Sequence, residues 1–164
     1  MALIDNTAIM QIAIIVKDIE KTAENYAKVF GMPVPEIQDV PPVSEVPIFY
    51  RGERTDSRAK ICWFQMGNII LELTEPDDTP SSWKEFYDKH GQGVHHIGIQ
   101  VQDRDAALEA LRDLGAEVNH VGYYPTGSYT FMDCMEQFGV NFNIKHGGED
   151  NRDKLITGGE EKED

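Results

Sequence analysis

Gly93 to Val101 reads GVHHIGIQV, and Gln11 to Asp18 reads QIAIIVKD. Laid one above the other from Gln11 and His96, Ile12 falls on Ile97, Ile14 on Ile99, Val16 on Val101 and Asp18 on Asp103. Apolar residues alternate in both stretches, as in a strand with one buried face. In each case an Asp at the turn leads into a helical period. Ile19, Ala23, Tyr26, Ala27 and Phe30 recur at helical spacing in the first copy, and Ala107, Leu108, Leu111 and Leu114 in the second. Gly31 and Gly115 stand where helix C-termini favour glycine.

Further strand candidates follow each helix. VPIFYRG, AKICWFQMG and NIILELTE close the first half, and AEVNHVGYY, SYTFMDC and VNFNIK the second. Each half therefore reads as β-α-β-β-β, an α+β class chain of two tandem modules at 8–75 and 93–146. Residues 76–92 form a linker in which Ser82-Trp83-Lys84-Glu85 has the spacing of a capping box, so a short helix is expected there. Pro33, Pro35, Pro41, Pro42 and Pro47 make the segment between the first helix and VPIFYRG a loop or lid. Residues 147–164, GGEDNRDKLITGGEEKED before the end of the chain, read as an acidic, mobile tail.

Composition narrows the function. With 40% hydrophobic residues the chain can bury a core, while a formal net charge of −14 argues against nucleic acid and anionic membranes as partners. No apolar run is long enough to span a bilayer, and no signal peptide opens the sequence. Cys62 and Cys134 make no disulfide framework or metal motif and read as core residues, so a cytoplasmic location is expected. No glycine-rich phosphate cradle occurs, hence no nucleotide cofactor.

Alternation also picks out candidate site residues. In HHIGIQV it groups His95 with Ile97, Ile99 and Val101 under the helix, and His96 with Gly98 and Gln100 on the opposite face. The equivalent face of the first strand carries Gln11, Ala13 and Ile15. NIILELTE places Glu72 with Ile70 and Thr74, and VNFNIK places Asn141, Asn143 and Lys145 together. Polar groups in mid-strand point to a wet cavity, because burying them unpaired is costly; an open, solvated sheet face is the alternative. His120 and Tyr129, with Tyr124, are further candidates for the cavity wall. Arg51, Arg54, Arg58 and Lys60 cluster in YRGERTDSRAK, as an anion dock or a solvated hairpin.

Taken together, QIAIIVKD, LELTEP, GVHHIGIQV and GSYTFMDCMEQFGVNFNIK, in that order over Ile9 to Lys145, resemble the vicinal oxygen chelate superfamily, in its glyoxalase I and methylmalonyl-CoA epimerase branch. The resemblance implies a cupped mixed sheet, a homodimer and a small-molecule substrate. It also implies a divalent metal (Mg, Mn, Co, Ni or Zn) whose ligand positions fall on Gln11, Glu72, His96 and Asn143. Gln11 stands where the family usually has His, and Asn143 where it usually has Glu. Amide oxygens suit zinc poorly, so a metal-free cup stays open beside the metal-bound one. The activity implied is that of a lyase or an isomerase (epimerase) on a small oxo- or hydroxy-acid, with Glu72 and His96 catalytic and Gln11, Tyr129, Asn141, Asn143 and His120 around the substrate. The alternative is a non-catalytic sequestering protein of the bleomycin-resistance type.

Overall fold

A computed structural model describes residues 2–4, 7–41 and 44–148. The acidic tail from 149 onward lies outside the described residues. The elements, in order, are β1 (Ile9–Ile15), α1 (Ile19–Phe30), β2 (Gln38–Asp39), β3 (Ile48–Tyr50), β4 (Glu53–Thr55), β5 (Ala59–Met66), β6 (Ile69–Pro76), α2 (Ser82–His90), β7 (Gly93–Val101), α3 (Arg104–Asp113), β8 (Glu117–Tyr124), β9 (Gly127–Asp133), α4 (Met135–Phe138) and β10 (Asn141–Gly147). The strands form one curled mixed sheet in the order β2-β5-β6-β1-β7-β10-β9-β8-β3-β4. β6 lies parallel to β1, and β10 parallel to β7. The two halves are thus copies of one pattern, joined at the antiparallel β1–β7 pair.

The repeat aspartates start the helices. Asp18 accepts a hydrogen bond from the Lys21 amide and Asp103 one from the Ala106 amide, each at 3.0 Å. The helices α1 and α3 cover the convex face over separate cores. One holds Ile19, Ala23, Cys62, Phe64 and Leu73, the other Ile99, Leu108, Leu111, Met132, Cys134 and Ile144. A third core lies on the concave face and contains Ile15, Val40, Val46, Ile48, Ala59, Trp83, Phe86 and Phe131. Trp83 and Phe86 come from α2, so the linker helix packs into the cup and fills one end of it.

Two expectations shift. Ser81, not Ser82, is the cap of α2, accepting from the Lys84 amide at 3.0 Å. Ser82 becomes the first helical residue, its hydroxyl turned into the protein. VPIFYRG, expected among the strands of the first half, supplies β3, which pairs with β8 of the second. The edge beside β5 is already taken by β2, and the segment between β2 and β3 carries the chain to the far edge, where Ile48 is fully buried in the concave core. The β3–β4 turn places Arg51 at φ 49° and Gly52 at φ 83°. Positive φ at both central residues is what a tight type I′ hairpin requires. Arg51 is held there by its amide, which donates to the Asn119 carbonyl at 2.7 Å.

If α2 is an integral part of the cup, Phe86→Ala should lower unfolding stability by roughly 3–5 kcal/mol. A urea titration reads this directly. Val29→Ala, on the exposed side of α1, should shift the midpoint far less.

Candidate active site

The β1–β7 register sets the geometry. Ile12 lies opposite Ile97, its own repeat counterpart, with Gln11 opposite Gly98 and Ala13 opposite His96. A pseudo-twofold axis therefore passes through the Ile12–Ile97 pair and exchanges Gln11 with His96. Outward from this pair, Glu72 lies beside Ala13 and Asn143 beside Gly98. The same axis exchanges these two. Four side chains from four strands consequently meet on the concave face. The Gln11 amide donates to Glu72 Oε2 at 2.7 Å, His96 Nε2 lies 3.3 Å from Gln11 Oε1, and the Asn143 amide reaches Gln11 Oε1 at 3.5 Å. Thr74 Oγ1 donates to the other Glu72 oxygen at 3.3 Å. Gly98 leaves room for Gln11: a Cβ there would lie 2.7 Å from Gln11 Oε1 and 2.8 Å from its Cβ.

His95 is not on the helix side. The register slips between Ala13 opposite His96 and Ile14 opposite Val94, leaving His95 as the extra residue of a β-bulge. A bulge interrupts strict alternation, so both histidines turn into the cup. Their Nδ1 atoms are 2.7 Å apart, and the rings pack against Phe131 at 5.0 and 4.6 Å. His95 Nε2 lies 2.9 Å from Ser82 Oγ, the hydroxyl freed when Ser81 took the cap.

Donor and acceptor chemistry allows one directed arrangement of this chain. Gln11 gives its NH₂ to Glu72, so its oxygen accepts; His96 Nε2 lies 3.3 Å from that oxygen and 3.4 Å from the Asn143 amide, and the tautomer with the proton on Nε2 donates to Gln11. In that tautomer His96 accepts at Nδ1, His95 carries its proton on Nδ1 and accepts from the Ser82 hydroxyl at Nε2. The result is one directed relay from Ser82 through His95, His96 and Gln11 to Glu72. It requires neutral imidazoles, and burial provides them. His95 is brought down to about 4, and His96 is pushed well below the usual histidine range by burial and by neighbouring His95. Desolvation raises Glu72, opposed by the Lys145 charge and by the hydrogen bonds from Thr74 and Gln11.

Glu72 lines two adjoining cavities. The inner one, about 380 Å³, is walled by Val40, Val46, Ile61, Trp83, Tyr129 and Phe131 with Asn143. The outer one, about 500 Å³, includes Gln11, Trp63, Gln100 and Thr126. Ile61, Glu72, Tyr124 and Lys145 belong to both. Tyr129 is thus a wall residue, its ring lying over Gly122, where a Cβ would meet it at 2.1 Å. His120 and Asn141 line neither. His120 is fully buried behind that wall, 3.3 Å from the Tyr129 hydroxyl, its ring tilted at 59° against Trp83 with centroids 4.6 Å apart. Asn141 sits at the end filled by α2, where its Oδ1 accepts from the Cys134 amide at 3.1 Å and helps start α4. Lys145 was in reach of the sequence, two residues beyond Asn143 on the same strand face. The inner walls from Val40, Val46 and Trp83 were not, because a loop and a linker supply them.

The basic stretch after β3 is largely engaged internally. Arg51 pairs with Glu85 at 2.7 Å, Arg58 donates to the Val40 carbonyl at 3.2 Å, and Lys60 lies 3.9 Å from Glu75. Burial pushes Glu85 up, but hydrogen bonds from Lys89, Tyr50 and Arg51 outweigh it and hold the carboxyl at about 2.

Comparison with known proteins agrees with this architecture. The profile of the glyoxalase/bleomycin resistance protein/dioxygenase superfamily matches residues 10–132, and the chain belongs to that superfamily. The ethylmalonyl-CoA/methylmalonyl-CoA epimerase of Cereibacter sphaeroides is 29% identical over 119 residues, 72% of this chain and 78% of that protein. The uncharacterized protein YqjC of Bacillus subtilis is 36% identical over 58 residues, 35% of this chain and only 41% of that protein. Among solved structures, methylmalonyl-CoA epimerase from Mycobacterium tuberculosis has the same fold, with a TM-score of 0.57 at 19% identity, covering 90% of this chain and 91% of that one.

Members of this superfamily commonly hold a divalent metal in the cup. The donor set here does not suit one. Gln11, Glu72, His96 and Asn143 provide one carboxylate, one imidazole and two amides, and Gln11 directs its NH₂ rather than its oxygen at Glu72. No three His, Cys, Asp or Glu side chains converge among the described residues. The Lys145 ammonium shares the cavity and would repel a cation. The four residues are therefore read as a hydrogen-bonded set rather than as metal ligands.

Buried neutral histidines give the stability a defined pH dependence. His95 and His120 fall from 6.5 to about 4 and about 3, both chiefly by burial, and His96 shifts the same way. Below 6.5 the unfolded chain takes up protons that the folded one refuses. Stability is fully present above that value and falls as pH drops towards 4. Glu72 acts with the opposite sign, and Glu85 acts only in the lower window between 4.5 and about 2. Unfolding near pH 5 should therefore take up on the order of two protons, read from the slope of urea-derived stability against pH. A flat profile between pH 7 and 4 would contradict neutral burial. Separately, Gly98→Ala should push Gln11 off Glu72, costing about 1–3 kcal/mol of stability in the same titration.

Proposed function

We propose that the protein is a lyase or isomerase that moves a proton on a small oxygenated acid of the oxo- or hydroxy-acid type, with Glu72 as the base. The observation that carries this reading is a single desolvated carboxylate, oriented through both oxygens by Gln11 and Thr74, at the junction of an apolar cavity and an outer opening.

A proton alpha to a carbonyl is weakly acidic, so its removal needs a base in reach and a partner for the developing oxyanion. Desolvation makes Glu72 a stronger base than a solvated carboxylate. The Gln11 amide and the Thr74 hydroxyl aim it without protonating it. His96 acts on Gln11 and not on the substrate: its Nε2–H fixes the amide, and the Ser82–His95 pair fixes His96. Tyr129 and the aromatic wall exclude water from the reacting carbon. The dyad partner of Glu72 is neutral Asn143, so this site has one base where epimerisation at opposite faces of a carbon would use two. That favours one-base chemistry over the epimerase activity of the named relatives. The reading extends to a homodimer in the reducing cytoplasm, in keeping with buried free Cys62 and Cys134 and with no described helix long and apolar enough to cross a membrane.

The test is exchange of alpha protons into D₂O, followed by proton NMR over a panel of 2-oxo and 2-hydroxy acids. Glu72→Gln should lower the exchange rate about 10²–10⁴-fold while the protein stays folded. The wild-type rate should be lost on acidification through a pKa above 4.5, because the base must be ionised and burial raises it. Tight binding of an acid with no exchange at any pH would replace this reading with sequestration.

A further inference from the structure

Lys145 has no role in the relay. It faces Tyr129 across the β10–β9 pair and lines both cavities where they meet. Its ammonium makes no hydrogen bond, and no ion pair within 4.0 Å, to any described residue, although Glu72 borders the same space. Its side chain is half-buried, with the ammonium facing the cavity space rather than a protein partner. Burial pulls its pKa down, and only the charge of Glu72 opposes that.

Two groups on the wall of the same chamber are buried outright. Asn143 Oδ1 and Trp83 Nε1–H are buried without hydrogen-bond partners. Both residues are 4% exposed, and both line the inner cavity. Buried polar atoms are satisfied as a rule. Here an ammonium, an indole N–H and an amide oxygen are unpaired around one chamber whose other walls include Val40, Val46 and Phe131. The chamber is built for a ligand with an anionic end, further polar atoms and a short apolar arm.

We propose that the cup binds a small monocarboxylic acid with a short apolar arm, its carboxylate seated on Lys145, and that Lys145 is the residue that selects it. The two free side-chain atoms of Asn143 and Trp83 engage the remaining polar atoms of the acid, and the arm lies in the inner chamber. A dicarboxylate is disfavoured, because its second charge would meet Glu72 or the apolar wall. For the place of the proton transfer the proposal rests on the function proposed above; for binding it does not.

The experiment is ligand titration by calorimetry and saturation-transfer NMR with 3-methyl-2-oxobutanoate and 3-methylbutanoate, each beside its methyl ester. It uses the wild type, Lys145→Met, Lys145→Arg and Glu72→Gln. The acids should bind the wild type and the esters should not. Lys145→Met should weaken acid binding at least 30-fold while melting no lower than wild type, since it removes a desolvated charge. Lys145→Arg should restore part of the affinity. Glu72→Gln should bind at least as tightly, having lost a like charge. Equal binding by wild type and Lys145→Met, or no binding of either acid by the wild type, overturns the proposal. If acids bind through Lys145 but exchange no proton in the wild type, the binding inference stands and the Glu72 reading falls.

Discussion

The pairing of β1 with β7 is the contact on which the rest depends. With Ile12 opposite its own counterpart Ile97, the two modules are related by an axis through the centre of the sheet. Gln11 and His96, then Glu72 and Asn143, are brought to the same small area as a consequence. A slip of one residue would turn one module's pair to the helix side while the other's stayed in the cup, and would expose aliphatic side chains to it. The register is specified from both faces at once. Ile12 and Ile14 pack under α1 while Ile15 enters the concave core, so no neighbouring register buries both sets.

That arrangement brings polar groups into a dry place, and the relay from Ser82 to Glu72 is how the protein tolerates them. Each link is satisfied only if the next has the right tautomer, so the orientation of Glu72 is set by residues on α2 and β7 that never touch the cavity. The linker helix has a double part in this. Its Trp83 and Phe86 close one end of the cup, and its Ser82 anchors the relay. Closure and orientation come from one element, which is why a helix between two modules matters to the chemistry of the site.

The sequence carried much of this and missed the rest for definite reasons. Period-2 alternation placed Gln11, Glu72, His96 and Asn143 on one face, because each is counted from strand residues that run without interruption from it. It failed at His95, where a bulge inserts one residue and alternation has no way to register an insertion. It failed for VPIFYRG because the choice of a strand's neighbour is non-local: the segment has strand character, and only packing against β8 decides its place. The cap moved from Ser82 to Ser81 because two adjacent serines serve equally well locally, and His95 needs one of the hydroxyls. Asn141 and His120 share a face with the site but lie beneath α2 and Tyr129, a depth that a strand pattern does not encode.

The amides at Gln11 and Asn143 bring a change in charge that the rest of the cup reflects. A divalent ion held by histidine and glutamate ligands puts concentrated positive charge beside the substrate and neutralises several carboxylates at once. With neutral amides in two of the four positions, only Glu72 remains to be balanced. A single ammonium on β10, the strand that carries Asn143, is of matching size. Lys145 and Glu72 then stand as one cation and one carboxylate at the junction of two cavities. The charge of each favours the ionised form of the other. They border the same space without closing into a salt bridge, and the proposed seating of an acid on Lys145 uses that space.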